Sequence, residues 1–325
     1  MSTCATVSQQ LHEPLSATAP TATTWLLLEQ PGPWGPKALT SSHLDPGLGR
    51  LLERAAQGTG VRVALIRRPG RHADCRTPSV RHVYAAHTVP GNVWLHSAMT
   101  VDPERLLGLD FAALGRGDHR SFGTVLGGRP HTGDPLALVC TNGRRDRCCA
   151  LLGRPLAAAL AATGVRGAWE ATHLGGHRFS PTLLVLPYGY AYGRAEAHTV
   201  MDALHGVREG RVVLEGCRGR TAWERPGQAA ELAVRTAFAE DRADALTVVG
   251  TENLDADGAA PRWEVTVAHT DGRRWHVTVE QGAAVPPRPE SCGATVLGAP
   301  AHMDVTAVCE LTVARSAPAR WEPDM

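Results

Sequence analysis

One order of elements occurs twice in this chain, and it limits the fold more than any other feature. TTWLLLEQ (23–30) is an apolar strand-like run broken by PGPWGP (31–36), and LDPGLGRLLERAAQG (44–58) then has helical periodicity with Gly58 as its stop. VRVALIRR (61–68), RHVYAAHTV (81–89) and NVWLHSAM (92–99) read as strands, and VDPERLLGLDFAAL (101–114) as a closing helix. Residues 115–134, rich in Gly, Pro, His and Arg, read as a linker or long loop. The order then recurs. LALVC (136–140) is a strand, CALLGRPLAAALAAT (149–163) a helix ended by Gly164, and GAWEAT (167–172), TLLVLPYG (182–189) and YAYG (190–193) are strands. RAEAHTVMDALHG (194–206) is the last helix. Both halves run β-α-β-β-β-α, the outline of a thioredoxin-like α/β sandwich. Two such modules are expected, over 23–130 and 131–210, duplicated in pattern rather than in residue identity.

The flanks read differently. Residues 1–22 are polar and rich in Ser, Thr and Ala, without the basic start and apolar centre of a signal peptide, so a disordered leader and a cytoplasmic protein are expected. No apolar run approaches the roughly 18–20 residues of a membrane span. With 33 basic against 32 acidic residues, no global field favours nucleic acid or an anionic membrane. Residues 211–325 are expected to form an accessory α+β region. RVVLEGCRGR (211–220) opens it, and PGQAAELAVRTAFAED (226–241) is a helix with Pro226 in its first turn. RWEVTVAHTDGRRWHVTVEQ (262–281) is a hairpin turning at Asp271-Gly272, with Trp263, Val265, Val267, Trp275, Val277 and Val279 on one face. A helix before a hairpin is compatible with a winged helix, but two arginines at its turn do not make a DNA site.

Three of the eight cysteines, Cys140, Cys148 and Cys149, crowd into VCTNGRRDRCCALLG (139–153). His173 and His177 follow in ATHLGGHRFSP (171–181), where Gly-Gly disfavours a helix. In a parallel β-α-β unit the ends of both strands emerge on one edge, so the cysteine and histidine segments are neighbours in space. In a reducing compartment such a set points to metal or redox work. Zinc takes two thiolates and two imidazoles, although C-x8-C is wide for a knuckle. A 2Fe–2S cluster spreads its ligands over two irons and accepts wide spacing. A thiol reductase built on adjacent Cys148 and Cys149 lacks the C-x-x-C arrangement. Isolated Cys4, Cys75, Cys217 and Cys309 read as small apolar fillers or exposed thiols, and Cys292, in SCG (291–293), is left outside the site.

VCTNGRRDRCCALLGRPLA together with ATHLGGHRFSPTLLVLPYGYAYGR resembles the sucrase/ferredoxin-like family, as does LLLEQPGPWG near the start. The resemblance covers most of 24–240 and is strongest over 136–195. It implies a thioredoxin-like 2Fe–2S ferredoxin whose cluster is held by the cysteines of a C-x8-C loop and the histidines of an H-x3-H loop. Carried over, these are Cys140, Cys149, His173 and His177; Cys148 gives C-x7-C and becomes a neighbour, with an exchange between Cys148 and Cys149 still open. No carboxylate pair supports a sucrase.

The implied role is one-electron transfer. Two thiolates and two imidazoles leave such a cluster less negative than four thiolates do, so it accepts an electron more readily. Arg144, Arg145, Arg147 and Arg178 would favour the reduced state or dock an acidic partner. The second nitrogen of a ligating imidazole couples proton to electron uptake. Gly47-Leu-Gly49 lacks the third glycine of a dinucleotide fingerprint, so electrons are expected from a partner reductase or ferredoxin. The first module, with EQPGPWGP in place of the cysteine loop, reads as a cluster-free duplicate.

Overall fold

The computed structural model describes residues 3–70, 80–255 and 261–311. A short helix, α1 (Cys4–Gln10), precedes β1 (Thr24–Glu29). Asp45 starts α2 (Pro46–Ala56) by accepting the Leu48 N–H, with Pro46 in the first helical position. β2 (Val61–Arg67), β3 (Arg81–His87) and β4 (Trp94–Thr100) follow, then α3 (Phe111–Gly115), α4 (Arg120–Leu126) and the two-residue β5 (Arg129–Pro130). The second half supplies β6 (Leu136–Cys140), α5 (Arg147–Ala162), β7 (Ala168–Ala171), β8 (Leu183–Leu186), β9 (Tyr190–Tyr192) and α6 (Ala197–Arg208).

The two halves have the same topology. β1 lies parallel to β2 and antiparallel to β3, which pairs with β4; β6 lies parallel to β7 and antiparallel to β8, which pairs with β9. Each is a thioredoxin-like core, and its central strands are buried on both faces, which is why they read as unbroken apolar runs. The halves join edge to edge through β2 and β7, antiparallel, with Ile66 opposite Ala171 and Arg67 opposite Glu170. Equivalent strands thus meet across an approximate two-fold axis, and one ten-stranded sheet results.

β10 (Cys217–Arg220) pairs with β9 and completes that sheet, so the start of the expected accessory region belongs to it. α7 (Arg225–Phe238) then packs on a four-stranded antiparallel sheet of β11 (Leu246–Asn253), β12 (Arg262–His269), β13 (Arg274–Ala283) and β14 (Ala301–Glu310). In the β12–β13 hairpin Gly272 takes φ +98° at the turn, and Val265, Val267, Trp275, Val277 and Val279 are buried against α7.

Three expectations need correction. Residues 3–22 are not a disordered leader. Cys4, Ala5, Ala17, Ala19 and Ala22 are buried, and backbone bonds from Thr18 to Arg218 and from Ala22 to Thr221 lace the segment to the large sheet. Small apolar residues spaced among polar ones suffice to anchor it, although their composition resembles that of a solvated tail. The helix expected over 101–114 is split: a 3-10 turn at Pro103–Gly108 precedes α3, which Asp110 restarts by accepting the Ala113 N–H. The stretch 115–134 is not a linker throughout, since α4 buries Phe122 and Leu126 in the first module's core.

Candidate metal centre

β6 ends at Cys140, fully buried, and the chain turns through residues 141–145. Asp146 then caps α5, its carboxylate accepting the Cys148 N–H at 2.9 Å. Cys148 and Cys149 therefore both occupy the first turn of the helix, which starts at Arg147, two residues before the expected 149. α5 lies close on the strand end: a Cβ on Gly153 would sit 2.1 Å from the Cys140 carbonyl oxygen, an approach that only glycine permits. Cys149, one turn before Gly153, is thereby held over Cys140.

The histidine segment leaves the neighbouring strand. β6 and β7 are parallel with Cys140 opposite Ala171, and Thr172 carries the chain on by donating its N–H to the Leu65 carbonyl of β2 while its hydroxyl oxygen accepts the Leu65 N–H. His173 follows. Gly175 and Gly176, both left-handed (φ +87° and +70°), reverse the loop, and His177 opens a 3-10 turn to Phe179.

Ligand atoms of Cys140, Cys149 and His173 lie within 4.8 Å of one another. His177 lies beside that group without joining it: its ring centroid is 5.1 Å from that of His173, and its Nε2 faces Asp146 Oδ2 at 3.6 Å. Nδ1 of each histidine is buried and, among the described residues, without a hydrogen-bond partner. Cys148 is turned away into a different group with Cys4, Cys292 and Asp146.

The electrostatics favour an anion at Cys140. Its thiol is held well below the ordinary range, first by a hydrogen bond from Cys149 and then by His173 and the Leu174 N–H, against the opposing effect of burial. Cys149, bonded to that sulfur and buried, is pushed up, so it keeps the proton of the pair. Burial lowers the His177 pKa, and Asp146 acts in the opposite direction.

Two guanidiniums hold the histidine loop. Arg62 of β2 donates to the His173 carbonyl at 3.1 Å while lying over the Trp25 ring. Arg218 of β10, fully buried, donates to the Gly175 carbonyl at 3.1 Å and to the Thr18 hydroxyl at 3.0 Å. Among the described residues Arg218 has no carboxylate partner. Burial pushes it down, Arg178 adds to that, and the Cys217 and Cys140 sulfurs act the other way. Neither arginine is legible in the sequence, because each reaches the loop from a distant element. Asp146 does leave a signal there, an N-cap residue directly before the apolar helix.

Of the four arginines flanking the motifs, Arg144, Arg145 and Arg147 are exposed, whereas Arg178 is engaged by Glu13 at 2.7 Å and Glu290 at 3.6 Å. A cleft of about 500 Å³ opens beside the cysteine turn, lined among others by Trp34, Arg67, Asn142 and Arg144. Cys217 is buried and Cys309 exposed, as small-filler and surface thiols are; Cys75 lies outside the described residues.

The Suc_Fer-like family model, described as sucrase/ferredoxin-like, matches residues 15–219, well over half of the chain. This chain belongs to the sucrase/ferredoxin-like family. Comparisons with curated proteins and with solved structures find no match. In this sucrase/ferredoxin-like chain the matched span takes in both thioredoxin-like halves and all of Cys140, Cys149, His173 and His177. It leaves out α1, α7 and the small sheet, and with them Cys4 and Cys292.

Proposed function

We propose that this chain is a one-electron transfer protein in which Cys140, Cys149, His173 and His177 hold a 2Fe–2S cluster. The observation that carries the reading is the group of buried Cys140 and Cys149 with half-buried His173, flanked by His177, the Nδ1 atoms of both imidazoles being buried and without a hydrogen-bond partner among the described residues. A buried polar atom left unsatisfied costs about 1–3 kcal/mol, a cost that coordination would remove. Two thiolates and two imidazoles are also the donor set of Rieske-type 2Fe–2S centres. The cluster would supply a reversible one-electron couple. The chain's own groups do the rest. Asp146 orients His177 from its Nε2 side, leaving Nδ1 for the metal, and offers a place for a proton there. The Leu174 N–H supports the Cys140 sulfur, and Arg62 and Arg218 place buried positive charge behind the histidine loop.

The same reading takes electrons from a partner reductase or ferredoxin in the cytoplasm. Exposed Arg144, Arg145 and Arg147 suit an acidic partner. Among the described residues no helix is long and apolar enough to cross a membrane.

Purification under exclusion of oxygen tests this. The expected protein is brown, carries iron and acid-labile sulfide in equal amounts that fall together in Cys149→Ala, and gives an EPR signal on reduction. A colourless protein whose zinc content falls in Cys149→Ala would replace the proposal with a structural zinc module of two cysteines and two histidines.

A further inference from the structure

We infer that Cys4, Cys148 and Cys292, with Asp146, form a second metal site, for zinc, which ties α1 and the 284–300 loop to the start of α5. The inference stands on residues other than the four proposed cluster ligands. Three thiols meet there from α1, from α5 and from the 284–300 loop, separated by 144 residues of chain in each step. Their sulfurs are mutually close: Cys4 lies 3.5 Å from Cys148 and from Cys292, and Cys148 lies 3.1 Å from Cys292. Asp146 completes the group, with Oδ1 3.9 Å and Oδ2 4.0 Å from the Cys4 sulfur.

Local structure does not produce such a meeting. Thiols are weak donors and weak acceptors, so three of them gain little from one another. A disulfide serves only two sulfurs, at about 2.05 Å. A tetrahedral zinc with bonds of about 2.3 Å to sulfur sets its thiolates about 3.8 Å apart, and the observed triangle is a slightly contracted version of that. Soft sulfur ligands select zinc over magnesium or calcium.

Charge points the same way. Among the described residues the cationic group that faces this cluster is His177, its Nε2 3.6 Å from Asp146 Oδ2 and charged only when protonated. Three thiolates and a carboxylate exceed that single charge, and a divalent cation supplies the balance. The carboxylate is held for the task, Oδ1 accepting the Cys148 N–H at 2.9 Å and Oδ2 the Cys292 N–H at 2.8 Å. Cys4, Cys148 and Asp146 are buried and Cys292 half-buried, and four protein ligands leave no open position, as in a structural zinc site.

Elemental analysis of the full-length protein, with zinc and iron counted separately, tests the inference. The expected wild type holds zinc equimolar with chain, and Cys4→Ser and Cys292→Ser each lose at least tenfold in zinc while remaining folded by circular dichroism. The iron count reports on the other site and does not bear on this one. A wild type without zinc overturns the inference, as does zinc retained in the Cys4→Ser/Cys292→Ser double variant, or a zinc-free chain whose intact mass reveals a disulfide. Should the variants not fold, cobalt(II) exchanged into otherwise intact Cys149→Ala protein decides. Thiolate-to-cobalt charge transfer with tetrahedral d–d bands supports the site, and the absence of such bands refutes it.

Discussion

Arg218 is the residue whose removal tests the proposed redox role most directly. It is fully buried, lacks a carboxylate partner among the described residues, and donates to Gly175 at 3.1 Å. Gly175 is two residues from both His173 and His177, a chain reach of about 7 Å, so the guanidinium lies within roughly 10 Å of the ligand backbone. At that distance and an effective dielectric of about 20, a unit charge interacts with an added electron by about 1.7 kcal/mol. In a one-electron couple that is about 70 mV, since 59 mV corresponds to a tenfold change. A water-like dielectric would leave about 20 mV as the floor. Arg218→Met is therefore expected to lower the midpoint potential by about 70 mV, because the reduced state carries the extra negative charge. Arg218→Lys, which keeps the charge and loses the fork of hydrogen bonds, should fall by much less. Spectroscopically monitored redox titrations at fixed pH measure both. An unchanged or raised potential in Arg218→Met would refute the argument, and an equal fall in both variants would show that loop geometry, not charge, is at work.

The remaining predictions concern ligands, packing and pH. Cys149→Ala should abolish visible absorption and Cys148→Ala should retain it, which absorption spectra of the two purified variants decide. Gly153→Ala would push α5 off the end of β6, since its Cβ falls 2.1 Å from the Cys140 carbonyl, and should cost about 1–3 kcal/mol in chemical denaturation. Arg235 of α7 bonds Glu231 Oε1 at 3.0–3.1 Å and the Tyr190 hydroxyl at 2.8 Å, all buried. Arg235→Met leaves the Glu231 charge buried without that partner, at about 3–5 kcal/mol. For a chain of this size the melting temperature should drop by about 4–7 °C in calorimetry. His87 is pushed down to about 4, first by burial and then by Arg220. Its neutral form is the folded one, so its stabilisation is complete above the unfolded value near 6.5 and is lost as pH falls towards 4, by about 3 kcal/mol in all. Urea midpoints measured across pH 4–7 should show this slope in the wild type and a flatter profile in His87→Gln.

Much of the site is legible in the sequence. The parallel β-α-β rule places C-x8-C and H-x3-H on one edge, and Cys140, Cys149 and His173 do meet there. The H-x3-H motif makes His177 look equivalent to His173, but it stands beside the group because its Nε2 is drawn towards Asp146. Cys4 reads as an isolated thiol and Cys292 as one outside the site, and the spacing rules for metal ligands give no reason to read them otherwise. Those rules capture ligands carried by one turn or hairpin, whereas this trio spans most of the chain. The strands β11 and β14 are also hard to read, because they lie at the edges of the small sheet with many exposed positions and so lack a continuous apolar stripe.

Sequence alone determined β1–β4 and β6–β9 with the covering helices α2, α5 and α6, because burying a strand on two faces demands an apolar run and a covering helix demands an apolar stripe. It also determined which cysteines and histidines share a strand edge, because chain direction within a parallel pair leaves no choice. Only the tertiary structure decided that β2 joins β7 into one sheet, that Arg62 and Arg218 grip the histidine loop, and that α1 and the 284–300 loop bring Cys4 and Cys292 to the start of α5. Those contacts are made by backbone edges, long guanidiniums and single thiols arriving from distant segments, and a contact between distant segments leaves no period or spacing in the sequence that produces it.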